Sequence, residues 1–403
     1  MTPATDPIAD ARRVVVKIGS SSLTSIAGGI DAARLSEFVA SLNAHRESGR
    51  EIVVVSSGAI AAGLAPLGIP RRPRDLATAQ AAASVGQLLL VQAYAAAFAA
   101  YGLIVGQVLL TADDLHRRAH YRNASRTIAK LLALGVVPLV NENDTVATDE
   151  IRFGDNDRLA ALVAHVAEAS GLVLLSDVDG LHDGDPRRAN AQRIPVVTGA
   201  ADLRSLSIGP SNADGLGRGG MSSKVEAAMI ASSSGVSVRI ARAGDVRAAL
   251  AGDDVGTLFP ATGRRPTARL FWLRYASRPR GSIVLDAGAV RAVRARRASL
   301  LAAGITGVSG DFLADDPVEL LGPDGAAITT VVSYEAYLSE LPPVDVYRSL
   351  VLSDVEGFHF EISIMVTDNW QFDEAELRRI AESIVVIPGA ATDTTVWTDQ
   401  PIG

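Results

Sequence analysis

The chain has 403 residues, 48% of them hydrophobic and 21% charged, with a net charge of −7. This length exceeds one typical domain, so the composition predicts a globular protein with two domains and a full hydrophobic core. The absence of cysteine excludes disulfides, thiolate metal sites and a cysteine nucleophile, and is typical of a reducing cytoplasm.

The start of the chain, Met1 to Arg13, is polar and lacks the apolar core of a signal peptide. The most apolar stretch, Leu76 to Ile104, is rich in alanine and is interrupted by Gln80, Gln87 and Gln92. We therefore expect no membrane span and a cytoplasmic protein.

Six continuous apolar runs, each separated from the next by a helical pattern, predict strands that are buried on both faces. They are Val14–Ile18, Ile52–Val55, Val105–Leu110, Val136–Val140, Leu172–Leu175 and Val236–Ile240. This alternation predicts an α/β fold with a mainly parallel sheet. Ligands of such sheets bind beyond the carboxyl ends of the strands, so the residues that follow each run are the candidates for a site.

Lysine occurs only at Lys17, Lys130 and Lys224, and the other 35 of the 38 basic residues are arginine. A compact, rotatable ammonium group does what the planar arginine fork cannot, so a retained lysine indicates a specific need. Lys17 ends the first strand and Lys224 ends a glycine-rich segment, whereas Lys130 lies inside an ordinary helical pattern. Lys17 and Lys224 are therefore candidate functional lysines; chance easily places one of three lysines at such a position, but two only with difficulty.

Small residues follow the first two strands, in Lys17–Ser22 and in Val55–Ile60. Either segment alone is also a common helix cap, but the repetition indicates close approach to an anion. A stronger signal is Gly215–Lys224, where four glycines precede a serine pair and a lysine, and a helix is predicted from Val225 to Ser234. Such a segment can turn its backbone N–H groups toward a phosphate.

Two polar clusters follow the fourth strand, Asn141–Thr145 and Ile151–Asp157. Asx turns and one helix cap explain either cluster alone, but two in succession indicate a binding site. Ser176–His182, after the fifth strand, is equally consistent with a nucleotide contact and with a turn. The six histidines show no metal-ligand spacing beyond the pair His116 and His120, which we interpret as a surface pair.

Seven motifs in this order resemble those of the glutamate 5-kinase family, which has the amino acid kinase fold. They are Lys17-Ile-Gly-Ser, Val55-Ser-Ser-Gly-Ala-Ile-Ala-Ala-Gly63, Gly106-Gln-Val-Leu-Leu-Thr111, Val140-Asn-Glu-Asn-Asp-Thr-Val146, Phe153-Gly-Asp-Asn-Asp157, Leu174-Leu-Ser-Asp177 and Gly217-Arg-Gly-Gly-Met-Ser-Ser-Lys224. The resemblance implies a three-layer sandwich with a mainly parallel central sheet. It also implies transfer of the γ-phosphoryl group of ATP, with Mg²⁺, to the side-chain carboxylate of L-glutamate, the first step of proline biosynthesis.

The resemblance also implies roles for individual residues. Lys17, Lys224 and Asp157 would be catalytic, the two lysines on the phosphates and Asp157 organising the lysines or Mg²⁺. Substrate-binding residues would be Ser57, Asn141, Asp144, Asp155 and Asn156. ATP-binding residues would be Lys17, Ser176, Asp177, Arg218, Gly219, Gly220, Met221, Ser222, Ser223 and Lys224. Arg218 stands where a small hydroxyl residue is expected, and the protein ligands of Mg²⁺, held mainly through ATP, are unknown.

Gly281–Val290 and Ser299–Ile305 resemble the start of a PUA domain, a small β-rich module that binds RNA in other proteins. The resemblance fades from Glu335 onward, where Phe358–Val366 alternates like a strand and Asp373–Ser383 looks helical. We expect a kinase domain over 1–275, a PUA-like domain with an atypical ending over 281–360, and a segment of uncertain fold over 361–403.

Two alternatives stay open. A sibling kinase acting on aspartate, N-acetylglutamate, carbamate or UMP would share the lysines and the glycine-rich segment. An RNA-binding or regulatory protein on an inactive kinase scaffold would use the arginines around Arg291 to Arg297, although a solvated basic helix face explains them too. The family resemblance further implies feedback inhibition by proline and a homo-oligomer.

Overall fold

The computed structural model describes residues 6–24, 29–111, 114–115, 117–146, 156–188, 191–203, 220–267, 271–272, 275, 279–295, 304–310, 312, 317–336, 346–353 and 359–366. The chain divides into two compact units, Met1–Phe271 and Trp272–Gly403.

The first unit is built on a seven-stranded sheet in the order β3-β4-β2-β1-β5-β6-β7. The strands are β1 (Arg13–Ile18), β2 (Glu51–Ser56), β3 (Val105–Leu110), β4 (Val137–Glu142), β5 (Gly171–Ser176), β6 (Ser237–Arg242) and β7 (Thr257–Phe259). The first six strands are mutually parallel, which confirms the predicted runs, and their bounds move by only one or two residues. The antiparallel strand β7 was not predicted, because three residues carry too little pattern.

Helices connect these strands, as a parallel sheet requires. They are α1 (Ser20–Leu23), α2 (Ala32–Glu47), α3 (Ala59–Leu64), α4 (Leu76–Ala99), α5 (Arg118–Ala133), α6 (Asn156–Val166), α7 (Ala200–Leu203), α8 (Met221–Ser232) and α9 (Val246–Ala251). Helix α8 begins at Met221, so the predicted start at Val225 was wrong. The extended backbone of Gly220 ends the loop, and Lys224 consequently lies in the first turn of a helix.

Helix α4 is, within the part of the chain that the structure describes, the one helix whose length and composition would let it cross a membrane. Its residues Leu90, Tyr94 and Phe98 belong to the main hydrophobic core, together with side chains of α2 and β1. We therefore interpret α4 as a core helix. Only 33% of its most apolar window is buried, so α4 packs one face on the core and exposes the other.

Helices α3 and α4 touch backbone to backbone at two glycines. A Cβ atom built on Gly63 would lie 1.9 Å from the carbonyl oxygen of Ala82, and one built on Gly86 would lie 1.8 Å from that of Ala59. Both distances are far inside van der Waals contact, so only glycine allows this crossing. The contact sets the position of α3, which begins directly after the Ser56-Ser57-Gly58 turn.

The second unit contains a six-stranded sheet in the order β13-β12-β11-β10-β8-β9. Its elements are β8 (Gly281–Leu285), α10 (Ala287–Ala295), β9 (Ile305–Gly310), β10 (Pro317–Leu321), β11 (Ala327–Ala336), β12 (Val346–Ser353) and β13 (His359–Val366). Ile283, Leu285, Val318 and Leu320 form its buried core. The second unit is thus small and β-rich, as expected. The expected boundary at residue 360 lies within β13, and the helix expected at Asp373–Ser383 lies outside the described residues.

Candidate active site

Two buried lysines share one buried carboxylate at the centre of the first unit. The Nζ atom of Lys17 lies 2.5 Å from Oδ1 of Asp157, and the Nζ atom of Lys224 lies 2.9 Å from Oδ2 of the same residue. Their exposed fractions are 2% for Lys17, 6% for Lys224 and 0% for Asp157, so solvent hardly screens these charges. Counted as formal charges, the cluster carries one net positive charge, which suits it to an anion.

Each member of this cluster comes from a different element. Lys17 is the penultimate residue of β1, and its neighbours Val16 and Ile18 are buried in the core. Asp157 is the second residue of α6, where the helix dipole favours a carboxylate. Lys224 lies in the first turn of α8, where the same dipole disfavours a cation. A lysine in that unfavourable position indicates that its ammonium group serves a function other than stabilising the helix.

The first turn of α8 also contacts the same carboxylate. The Ser223 hydroxyl lies 3.3 Å from Oδ2 of Asp157 and 2.9 Å from the Gly220 carbonyl oxygen. Gly220, Met221 and Ser222 line up at the start of this helix, with Ser222 exposed. The described part of the predicted phosphate segment therefore contacts Asp157, the residue that Lys17 also contacts, while Arg218 and Gly219 lie outside the described residues.

A second polar cluster joins the ends of β2 and β4 to the start of α6. The Nδ2 atom of Asn156 lies 2.8 Å from the Ser56 carbonyl oxygen, 2.9 Å from Oγ of Ser57 and 2.8 Å from Oδ1 of Asn141. Asn141 and Asn156 are both buried. The structure therefore brings together Ser57, Asn141 and Asn156, three of the five expected substrate residues, and the sequence neighbour Asp157 links them to the two lysines.

The turn after β2 is shaped by Gly58, which has φ 110° and precedes α3. Such a positive φ favours glycine and lets the chain reverse directly after Ser57. The Ser57 backbone N–H donates to the carbonyl oxygen of Ile18 at 3.1 Å, so Ser57 is held beside the end of β1.

The other predicted site residues lie at the same edge or outside the described residues. Ser176 ends β5, the neighbour of β1, and its hydroxyl donates to Oδ1 of the exposed Asp177 at 3.2 Å. Asp144 is half-buried in the turn that follows β4. Asp155 lies outside the described residues, as does His116 of the histidine pair.

Two side chains of α4 reach this site although sequence reasoning assigned them no part in it. Oε1 of Gln87 accepts from Nδ2 of Asn141 at 2.7 Å, and the Tyr94 hydroxyl lies 3.0 Å from Oγ of Ser56. Burial raises the pKa of the Tyr94 phenol, which keeps it protonated. The available signal was a glutamine inside an apolar helix, which was interpreted only as an interruption.

The described residues contain no group of three His, Asp or Glu side chains that could hold a metal ion. Both oxygens of the buried Asp157 carboxylate already contact ammonium groups. This donor set suits a magnesium ion that is held through phosphate oxygens rather than in a protein cage.

A mainly parallel sheet with two buried ammonium groups at its carboxyl edge fits a protein that binds phosphate groups, and the family comparison gives its class. The model of the amino acid kinase family matches residues 12–242, and that of the PUA domain matches residues 281–333. Solved structures with low similarity include UMP kinase from Bacillus anthracis and carbamate kinase from Giardia lamblia bound to AMP-PNP. They are 15% and 16% identical, have TM-scores of 0.44 and 0.47, and cover 97% and 99% of their own chains and 62% of this one.

Curated relatives narrow the class. Glutamate 5-kinase from Streptomyces coelicolor is 60% identical over 85% of this chain and 91% of its own length. The enzymes of that name from Thermobifida fusca and Mycobacterium avium are 56% and 55% identical, each over 83% of this chain and over 86% and 92% of their own lengths. The chain belongs to the glutamate 5-kinase family.

Proposed function

We propose that the chain transfers the γ-phosphoryl group of ATP to the side-chain carboxylate of L-glutamate, giving L-glutamyl 5-phosphate and ADP in the first step of proline biosynthesis. An oxygen of the carboxylate forms a bond to the γ-phosphorus, and the bond from that phosphorus to the β–γ bridging oxygen breaks. A carboxylate is already ionised at neutral pH, so the reaction needs no general base. Catalysis then consists of alignment and of charge stabilisation.

The observation that carries this proposal is the pair of buried ammonium groups on Asp157. At 2.5 Å and 2.9 Å from its oxygens, Lys17 and Lys224 are held in place before any substrate binds. Preorganised charges in a site shielded from water stabilise a moving phosphoryl group more than mobile surface charges do. Lys17 and Lys224 would contact the phosphates, and Asp157 would hold both ammonium groups toward them.

The acceptor would bind at the neighbouring amide cluster. When Oγ of Ser57 accepts from Asn156, its hydroxyl proton is directed elsewhere and can be donated to a carboxylate oxygen of glutamate. Asn141 and Asn156 would hold the polar groups of the amino acid, and Asp144 and Asp155 would pair with its ammonium group. This assignment is supported by the three hydrogen bonds that join Asn156 to Ser56, Ser57 and Asn141.

The nucleotide would lie over the ends of β1 and β5 and over the start of α8. Ser176, Asp177 and the segment Arg218 to Lys224 would contact ATP, since a helix N-terminus after glycines favours phosphate. Mg²⁺, when bound through the phosphates, would shield their charge. The chain's own contribution would be to place the phosphates against Lys17 and Lys224.

A hydroxylamine trap tests the proposal and separates it from a sibling kinase. Incubation with ATP, Mg²⁺ and hydroxylamine should give a hydroxamate with L-glutamate and none with L-aspartate. A hydroxamate with aspartate, or none with either acid, would refute the proposed substrate. ADP release without an added acid measures the background of ATP hydrolysis.

The remaining expectations concern partners and location. We propose a cytoplasmic homo-oligomer that proline inhibits at the glutamate site, with RNA as a candidate ligand of the PUA domain. Sedimentation velocity tests the assembly, and glutamate titrations with proline test for competition. RNA retention at increasing salt, with and without Arg291→Ala and Arg294→Ala on α10, tests the nucleic-acid interaction.

A further inference from the structure

The amide groups of Gln87, Asn141 and Asn156 form a continuous hydrogen-bonded chain between helix α4 and the Ser56-Ser57 turn. Nδ2 of Asn141 donates to Oε1 of Gln87 at 2.7 Å, and Nδ2 of Asn156 donates to Oδ1 of Asn141 at 2.8 Å. This series of hydrogen bonds ends where Nδ2 of Asn156 donates to the Ser56 carbonyl oxygen and to Oγ of Ser57. Gln87 therefore lies at the far end of the cluster that we assign to the phosphoryl acceptor.

Backbone groups set the direction of every bond in this chain. The Glu142 N–H can only donate, and it lies 2.9 Å from Oδ1 of Asn141, so the Nδ2 atom of Asn141 must face Gln87. At the other end the Ser56 carbonyl can only accept, which orients Asn156. Consequently Gln87 must present its oxygen. A side chain without an acceptor at position 87 would remove the bond to Nδ2 of Asn141, so that only the bonds to its Oδ1 would hold the amide.

Helix α4 supports both adjacent strand ends in the same way. Gln87 and Tyr94 are seven residues apart, which is about two turns, so they project from the same face. Gln87 contacts the end of β4 through Asn141, and Tyr94 contacts the end of β2 through Ser56. β2 and β4 are paired neighbours in the sheet. The polar face of an otherwise apolar core helix thus coincides with the acceptor site.

Glutamine at this position carries a cost. The Nε2 atom of Gln87 is buried and has no hydrogen-bond partner within the part of the chain that the structure describes. An unpaired buried donor is unfavourable, and an apolar side chain of the same length would avoid it. What glutamine offers is its acceptor Oε1, whose one donor among the described residues is Nδ2 of Asn141.

We propose that Gln87 is a positioning residue of the phosphoryl acceptor site, which acts by holding the Asn141 amide in the one orientation that also orders Asn156 and Ser57. The inference rests on the proposed function, because it assumes that this cluster binds the amino acid. Gln87 acts on the acceptor through Asn141 and leaves the lysine cluster unaffected. Its loss should weaken acceptor binding while the ATP interaction and the chemical step change little.

The test compares Gln87→Met, Gln87→Glu and the matched control Gln92→Met, in which the same change is made on the exposed side of α4. Gln87→Met should raise the KM for glutamate about tenfold, the effect of weakening one hydrogen bond in a polar site. The KM for ATP and kcat should stay within about threefold of the native values. Gln87→Glu keeps the acceptor oxygen, so its KM for glutamate should lie between those of the native chain and Gln87→Met.

Thermal unfolding separates positioning from a structural role. In Gln87→Met one unpaired buried N–H, that of Asn141, replaces another, that of Gln87, so the midpoint should stay near the native value. A native KM for glutamate in Gln87→Met would overturn the inference. So would a KM for Gln87→Glu at or above that of Gln87→Met, because the acceptor oxygen, which only Gln87→Glu keeps, would then make no difference to glutamate binding. If the native chain and Gln92→Met form no hydroxamate, the proposed function fails instead.

Discussion

Lys17 and Lys224 lie in distant parts of the sequence, yet their ammonium groups contact different oxygens of the same carboxylate, that of Asp157. An ammonium group buried without a counter-charge would either lose its proton or lower the stability of the fold. Asp157 therefore makes a paired cationic site possible inside the protein. The shared carboxylate leaves the cluster with one net positive charge, counted as formal charges.

Exchange of either lysine for arginine should abolish most activity without unfolding the chain. The arginine fork cannot occupy the space of a compact ammonium group at 2.5 Å to 2.9 Å from Asp157. We expect kcat to fall by about a hundredfold or more in Lys17→Arg and in Lys224→Arg. The control is Lys130→Arg on the exposed side of α5, which should keep native turnover. Hydroxamate assays with circular dichroism measure both properties, and near-native turnover would contradict the assigned roles.

Removal of the negative charge of Asp157 should lower both the stability of the fold and the activity. In Asp157→Asn two buried ammonium groups would lose their counter-charge, and we expect the free energy of unfolding to fall by roughly 3–5 kcal/mol. The contrast is Glu226→Gln, which breaks the exposed Arg158–Glu226 pair at 2.9 Å and should cost less than about 1 kcal/mol. Urea titrations provide the comparison. Equal effects of the two substitutions would argue against a charged, buried cluster.

The crossing of α3 and α4 should tolerate no side chain at its two glycines. Gly63→Ala and Gly86→Ala each place a Cβ atom within 2 Å of a backbone carbonyl oxygen, so the helices must separate. We expect a loss of about 1–3 kcal/mol in stability. A raised KM for glutamate should accompany it, because α3 starts beside Ser57. Gly184→Ala is the control, since a Cβ atom there meets nothing within 4 Å.

His165 should make the fold sensitive to acid. Its Nδ1 atom lies 3.0 Å from the Tyr121 hydroxyl, its Nε2 atom lies 3.2 Å from the carbonyl oxygen of Pro266, and its ring stacks on Phe271 at 3.7 Å. Nε2 must carry the proton toward that carbonyl, so Nδ1 accepts in the neutral ring. Burial is the main reason why the pKa of His165 is lowered from 6.5 to about 4.

A lowered histidine pKa means that the unfolded chain takes up the proton first. The stabilisation is therefore complete above about pH 6.5 and is lost as the pH falls toward 4, with a slope of up to about 1.4 kcal/mol per pH unit. Burial, together with Arg50, lowers the pKa of His45 to about 4 in the same direction. Urea titrations at pH 7.5 and 5.0 should show a smaller loss in His165→Gln than in the native chain. Equal losses would contradict a neutral buried His165.

The sequence by itself predicted the six apolar strands, the parallel class of the sheet and the residues from which the candidate site is built. Buried parallel strands leave continuous apolar runs, and a strand end followed by small or polar residues marks the edge where ligands bind. The scarcity of lysine singled out Lys17 and Lys224 before any geometry was known. These signals are local in the sequence, so they can be recognised without a structure.

Only the tertiary structure decided how the residues meet. That Asp157 contacts both lysines depends on the packing of α6 and α8 beside β1, which no local pattern encodes. The first turn of α8, which begins at Met221 and not at Val225, was not predicted from the sequence, because a serine-rich turn has a weak helical pattern. Gln87 contacts Asn141, and is thereby a candidate positioning residue, because α4 packs with its polar face against the ends of β2 and β4. Such contacts join residues far apart in the chain, and only the folded packing specifies them.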